Sequence, residues 1–188
     1  MASICLLVGV AFGFLFRGSA SAPVQTSVPT QASPANLQQQ MPTLEQMKAI
    51  ADKQAEPLLA KLKADPKNSA LLNQVGTIYK ATHQFKTAID YYQKAVEADP
   101  KNVPARTDLA SCLYYEGDVA SALRQLQQSL SINPKDANSL FNLGMIEWKG
   151  KGNPKGAAKA WEQLLRANPE LDKQKKAEVE GLIAEVRK

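Results

Sequence analysis

The chain returns to one corner at a nearly fixed interval. Ala64-Asp65-Pro66-Lys67-Asn68, Ala98-Asp99-Pro100-Lys101-Asn102, Ile132-Asn133-Pro134-Lys135-Asp136 and Ala167-Asn168-Pro169-Glu170 share a pattern, and their prolines stand 34, 34 and 35 residues apart. Proline cannot continue a helical hydrogen-bond ladder, and a following Asn or Asp can accept from the free amides of a new helix. Each corner therefore reads as one helix ending and another beginning. Between corners, apolar residues recur at helical spacing. Leu72, Val75, Gly76 and Tyr79 form one stripe and Ala88, Tyr92 and Ala95 the next. The second period carries Leu109, Ala110 and Leu113, then Ala122, Leu126 and Ser129; the third carries Leu140, Leu143 and Gly144, then Ala157, Trp161 and Leu164. Arg106 stands where a large apolar residue is usual, which makes the second period the most divergent.

A period of 34 with two helices is the signature of stacked helical hairpins. The pattern resembles the tetratricopeptide repeat over about 105 residues, Asp65 to Pro169. Leu72 replaces the family's tryptophan, Val75 its leucine and Tyr92 its phenylalanine, while Gly76 and Tyr79 match. The resemblance implies an all-α fold, a right-handed tetratricopeptide solenoid of three repeats with N- and C-terminal capping helices. The expected helix pairs are 69–82 with 85–98, 103–116 with 119–132, and 137–149 with 154–167, the third turn, Lys149 to Pro154, holding one extra residue. The expected repeats are 69–102, 103–136 and 137–171 within a domain spanning 43–188. The small residues Gly76, Gly144, Ala88, Ala122 and Ala157 allow antiparallel helices to approach closely.

Two further helices flank the repeats. Thr43 and Gln46 have capping-box spacing, and Leu44, Met47, Ile50 and Ala51 make a stripe. Pro57 is expected to kink or restart that helix, with Leu58, Leu59 and Leu62 continuing its apolar face. After Pro169, Leu171 to Val186 carries Val179, Leu182, Ile183 and Val186 on one side and Lys and Glu elsewhere, the polar outer surface a solenoid end needs.

Residues 1–17 and 18–42 differ in kind from the rest. Ala2 to Phe16 is uninterrupted and apolar, followed by Arg17. It reads either as a transmembrane signal anchor, the preferred reading, or as a signal peptide cut near Ala20 or Ala22; the basic start usual for both is missing. Gly18 to Pro42 holds Pro23, Pro29, Pro34 and Pro42 among Ser, Thr, Ala and Gln, the composition of a disordered tether. Together these lead to an expected single-pass protein of the bacterial cell membrane with its repeats on the periplasmic side.

Other classes find little footing. The net charge of +5 is mild and its Lys and Glu intermingle, which favours solvated faces over a nucleic-acid surface. Two cysteines, Cys5 and Cys112, cannot make a disulfide framework. The single histidine, His83, lies in a turn, and Asp99, Glu116 and Asp118 sit where helix capping explains them. No metal-ligand cluster or phosphate loop appears, so no enzyme activity and no cofactor are expected.

In the resembled family the first helix of each pair lines a concave groove. The groove positions fall on Asn73, Gln74, Thr77 and Lys80; on Thr107, Asp108, Ser111, Tyr114 and Tyr115; and on Asn138, Phe141, Asn142, Met145, Trp148 and Lys149. The expected peptide-binding set is Asn73, Thr77, Lys80, Thr107, Ser111, Tyr114, Asn138, Phe141, Asn142, Met145 and Trp148. The two-lysine-plus-asparagine clamp of chaperone-tail binders is absent: Thr77 and Asp108 occupy two of its asparagine positions and Asn138 a lysine position. Tyr114, Phe141, Met145 and Trp148 suit an apolar peptide instead; alternatively, Phe141 and Trp148 pack against the C-terminal helix. The resemblance extends to the tethered tetratricopeptide component of bacterial c-type cytochrome biogenesis, through the apolar start, the pre-repeat helix and Ala160-Trp161-Glu162-Gln163-Leu164-Leu165. It implies a protein or peptide partner, an apocytochrome or haem-lyase segment. A scaffold subunit of an envelope assembly or secretion complex is the alternative.

Overall fold

In a computed structural model of the chain, residues 42–188 are described. Eight α-helices account for them, with no strand among the described residues: α1 Leu44–Ala64, α2 Ser69–Ala81, α3 Phe85–Ala98, α4 Val103–Tyr115, α5 Val119–Ile132, α6 Ala137–Met145, α7 Pro154–Ala167 and α8 Lys173–Val186. They form a helical solenoid. The pairs α2–α3, α4–α5 and α6–α7 stack in chain order, α1 lies on α2, and α8 lies on α7.

The corners work as their composition demands. Asp65, Asp99, Asn133 and Asn168 close their helices, each backbone N–H reaching a carbonyl one turn back. The following Asn or Asp then caps the next helix: Asn68 accepts from the Leu71 amide, Asn102 from Ala105 and Asp136 from Ser139. Four residues, Asp65 to Asn68 in the first corner, thus stop one helix, turn the chain and start another, with the cap side chain satisfying one of the new helix's free amides. The expected capping box is present, with the Gln46 amide 3.2 Å from Thr43 Oγ1 and the Thr43 amide 2.8 Å from Gln46 Oε1.

Within each pair the second helix presents a large residue to a small one. Gly76 faces Tyr92, and a Cβ at Gly76 would lie 2.8 Å from the Tyr92 ring. Gly144 faces Trp161 more tightly still: a Cβ there would fall inside the indole, whose N–H donates to the Phe141 carbonyl at 3.1 Å. In the middle pair the equivalent residues are Ala110 and Leu126, both fully buried. Where the first helix has a methyl group, the second has a smaller side chain.

Several details depart from the sequence reading. Pro57 neither ends nor restarts α1, which runs through it as one helix. The amide it removes faces outward, since Pro57 and Lys53 are both exposed, and water can serve the carbonyl left free. Leu44 is 78% and Ile50 45% exposed, so the first turns of α1 project beyond the core, which begins at Ala51 and Ala55. The extra residue of the third repeat is not in the turn. It is absorbed by a π-helical segment, Ile146–Gly150, where the Lys151 amide reaches five residues back to the Ile146 carbonyl at 2.9 Å. All three inter-helix turns consequently keep three residues with a left-handed centre, Gly117 at φ 88°, Gly152 at φ 66° and His83 at φ 58°.

The membrane assignment is corrected. Among the described residues no helix is long and apolar enough to cross a membrane. The longest, α1, is amphipathic and carries Glu45, Lys48, Asp52, Lys53, Glu56, Lys61 and Lys63. The apolar run and the tether drawn at 1–41 lie outside the described residues.

Arg106 is the one charged core residue of the middle repeat, at 8% exposure. Among the described residues its guanidinium has no carboxylate partner. It donates to Gln125 Oε1 at 2.9 Å, Gln128 Oε1 at 2.6 Å and the Pro100 carbonyl at 2.8 Å, leaving Nε unpaired. Burial lowers its pKa from the usual arginine range, the direction expected for a cation removed from water.

Two outcomes follow from this packing. Arg106→Leu, which restores the residue type of Leu72 and Leu140, is expected to stabilise by about 1 kcal/mol, raising the melting temperature by about 2–4 °C. Gly144→Ala is expected to destabilise by about 1–3 kcal/mol, because overpacking against Trp161 outweighs a helix-propensity gain of about 1 kcal/mol. In Gly144→Ala with Trp161→Leu, which copies the Ala110–Leu126 pair, the losses should be less than additive by chemical denaturation; strict additivity would show that the two residues are not a coupled contact.

Candidate functional site: the cleft of the first helices

The first helices of the three pairs, α2, α4 and α6, line a cleft of about 590 Å³ together with the start of α3. Lys80, His83, Phe85, Thr107, Asp108, Ser111, Tyr115, Asp136, Asn138 and Asn142 contribute to its walls. It continues into a smaller apolar pocket of about 150 Å³ between α4 and α6, bounded by Tyr114, Tyr115, Phe141, Met145 and Ile146 and sharing Ser111 and Asn142 with the larger cleft.

The expected binding residues divide into three groups. Lys80, Ser111, Tyr114, Asn138, Asn142, Phe141 and Met145 line the cleft or its apolar extension. Asn138 is exposed, and its side chain makes no hydrogen bond among the described residues. Asn142 Nδ2 donates to Ser111 Oγ at 3.0 Å, and Ser111 Oγ donates to the Thr107 carbonyl at 3.2 Å, so the polar seam between α4 and α6 is held in place. Lys80 Nζ lies 2.5 Å from Asp108 Oδ1, so the ammonium is already neutralised across α2 and α4.

A second group lies outside. Asn73 and Thr77 do not line the cleft: Thr77 Oγ1 donates to the Asn73 carbonyl at 3.0 Å and accepts from the Tyr92 hydroxyl at 3.2 Å. Thr107 touches the cleft floor but is only 4% exposed. Its hydroxyl is locked in a buried triangle with Ser129 Oγ at 3.0 Å and Ser139 Oγ at 2.6 Å, so it serves the core rather than a ligand. The position is internal because α5 and α6 bring two more hydroxyls against it, which its own sequence neighbourhood does not show.

The third group belongs to the C-terminal end. Trp148 stands edge-on to Trp161, with ring centroids 6.0 Å apart, and Lys149 Nζ lies 3.3 Å from the Trp148 ring centroid. Trp148, Phe141 and Met145 are half-buried against the cluster that α8 completes with Val179 and Ile183. Lys175 of α8 holds its ammonium 3.7 Å from the Phe141 ring centroid. Trp148 thus packs on Trp161 of α7, while Phe141, under Lys175 of α8, and Met145 lie against the C-terminal cluster and also line the small pocket.

Tyr115, though at a groove position, and Phe85 and His83 were left out of the expected set. Phe85 and Tyr115 stack at 4.7 Å between centroids with planes 12° apart, His83 stands edge-on to Phe85 at 5.6 Å, and Tyr115 is 64% exposed. A signal was available: Phe85 is aromatic at the first residue of a second helix, where the other repeats have Val119 and Pro154. Cys112 is fully buried behind this wall, and burial pushes its thiol up to about 12, which keeps it protonated and unreactive. Among the described residues no group of three His, Cys, Asp or Glu converges as a metal site would require.

Comparison with known proteins agrees with this architecture. Residues 79–143 and 138–170 each match a family model described as tetratricopeptide repeat. Among curated proteins, anaphase-promoting complex subunit 3 of Schizosaccharomyces pombe is 38% identical over 82 residues, 44% of this chain but 12% of that protein. This chain thus spans about a tenth of that relative's length. Among solved structures, YrrB, described as a tetratricopeptide protein with an unusual peptide-binding site, superposes with a TM-score of 0.60 at 25% identity, covering 71% of this chain and 68% of that one. The first tetratricopeptide domain of Spaghetti (RPAP3), bound to the HSP90 peptide SRMEEVD, superposes with a TM-score of 0.53 at 21% identity, covering 62% of this chain and 93% of that one. The chain carries tetratricopeptide repeats, a class of helical module that binds protein or peptide partners.

Proposed function

We propose that this chain is a non-enzymatic interaction module that holds an extended segment of a partner polypeptide in the cleft of α2, α4 and α6. The observation that carries the reading is the continuity of the cleft with an aromatic-lined pocket, beside an exposed asparagine with no side-chain partner among the described residues. Tyr114, Tyr115 and Phe85 supply large rigid surfaces at low entropic cost, and Asn138 offers both a donor and an acceptor to a peptide backbone. Solved relatives in fold whose descriptions mention a peptide-binding site or a bound peptide support a peptide-holding role. The narrower expectation, an apocytochrome or haem-lyase segment as partner, gains no support from the proteins reported above.

The test is photocrosslinking from within the cell. A photoreactive phenylalanine analogue at Asn138 or Tyr115 is expected to capture one partner polypeptide. The same analogue at Gln93, exposed on α3 outside the cleft, is expected to capture none. Adding Tyr114→Ala should cut the capture at Asn138, consistent with an anchor worth about 2 kcal/mol or roughly thirtyfold in affinity. Equal capture from Gln93, or capture indifferent to Tyr114→Ala, would place the interaction elsewhere.

A further inference from the structure

The charges lining the cleft are unequal. Among the described residues Lys80 is the one ammonium lining it, against the two carboxylates Asp108 and Asp136. Lys80 is spent on Asp108, at 2.5 Å. Asp136 caps α6, accepting from the Ser139 amide at 2.8 Å, and it remains only half-buried at the cleft wall. An incoming carboxylate would meet no free cation and would add to an existing negative excess. An incoming ammonium or guanidinium would meet Asp136, which has no cation partner among the described residues, and Asp108, which it would share with Lys80.

The apolar end of the cleft has a definite capacity. A cavity of about 150 Å³ with apolar walls is enough for a benzene-sized group, and the pocket between Tyr114, Phe141, Met145 and Ile146 has that volume. It is closed below by Ile146, which is almost fully buried, and flanked by Tyr115, which is exposed. One aliphatic or aromatic side chain fills it; two do not.

Resting on the reading of the cleft as a peptide site, we propose that it selects an extended partner segment with one apolar anchor residue, seated between α4 and α6, and a lysine or arginine a short distance along the chain. Asp108 and Tyr115 are separated by two turns of α4, roughly 10 Å along its axis at 1.5 Å per residue. An extended chain advances about 3.3 Å per residue. The basic residue therefore falls roughly three positions from the anchor. Asn138 and the Asn142–Ser111 pair lie along the same track and meet the intervening backbone. Acidic tails are rejected by the same charges that attract basic ones, so specificity comes from repulsion as well as from fit.

The full-length protein is titrated by fluorescence polarisation with short labelled peptides of Ser, Gly and Ala. One carries Leu and, three residues on, Lys; a second has Glu for Lys; a third has Ser for Leu. The Leu–Lys peptide is expected to bind at least tenfold more tightly than either of the others. Asp108→Asn removes one carboxylate and releases Lys80, so the preference for Lys over Glu should collapse by tenfold or more. Circular dichroism of the variant confirms that it is folded. If Leu peptides bind regardless of the charged residue, and Tyr114→Ala weakens them, the charge selection is overturned while the cleft still stands as a peptide site. If no peptide binds, or binding ignores Tyr114→Ala, both readings fall.

Discussion

The close contact between the two helices of each pair sets the geometry on which everything else in this chain depends. Tyr92 lies over Gly76 and Trp161 over Gly144, with no room for a methyl group at either glycine. Ala88, Ala122 and Ala157, all fully buried, keep the opposing helix equally bare. Backbones that approach this closely must do so with one stagger, because a ring seated on a glycine cannot slide along the helix without striking a side chain. The spacing of α2, α4 and α6 follows from that stagger repeated three times, and the width of the cleft follows from their spacing. The middle pair shows that the constraint is one of joint volume. Ala110 is tolerated because Leu126 is smaller than Tyr92 or Trp161.

The fold was legible in the sequence because its determinants are local and repeated. The Asx–Pro corners announce both a helix end and the next cap, and the small residues recur in phase. What the sequence hid depends on tertiary neighbours. Pro57 reads as a break, yet an exposed helix face lets water satisfy the carbonyl it strands. The extra residue of the third repeat reads as a longer turn, but the left-handed centres at His83, Gly117 and Gly152 hold the turn to one shape and push the insertion into Ile146–Gly150. The cleft was partly legible for the same reason. Positions on the first helices predicted Lys80, Ser111, Asn138 and Asn142, whereas the burial of Thr107 required Ser129 and Ser139 from two other helices. Phe85 was missed because a second-helix residue reaches the cleft only by stacking on Tyr115.

The two ends of the cleft differ in what surrounds them. Toward α8 the walls are shared with the core, since Phe141 and Met145 lie against the cluster that Val179 and Ile183 complete. Toward α2 the walls are polar and tied by Lys80 and Asp108. A side chain entering the apolar pocket thus meets surfaces already fixed by the cap, with little ordering cost, while the polar end keeps hydrated groups that respond to charge. Rigid apolar anchoring at one end and electrostatic selection at the other is a division that confers affinity and discrimination separately.

That division falls across the repeat with the most polar interior. The middle pair buries Arg106 among glutamine amides and sets the hydroxyls of Thr107 and Ser129 against Ser139 of the third pair, with Ser129 standing where the neighbouring repeats place Ala95 and Leu164. In a solenoid each repeat contacts only its neighbours, so total stability is close to a sum of repeat and interface terms. A repeat that buries less apolar surface is where local opening costs least. The same repeat supplies Asp108, Ser111, Tyr114 and Tyr115 to the cleft. A segment bound across α2, α4 and α6, as proposed, would bridge the middle repeat to both of its neighbours and would stabilise the closed array by mass action. Binding and cohesion would then be coupled through the middle repeat, because the cleft residues of α4 and the polar contacts that hold it to α5 and α6 lie on the same helix.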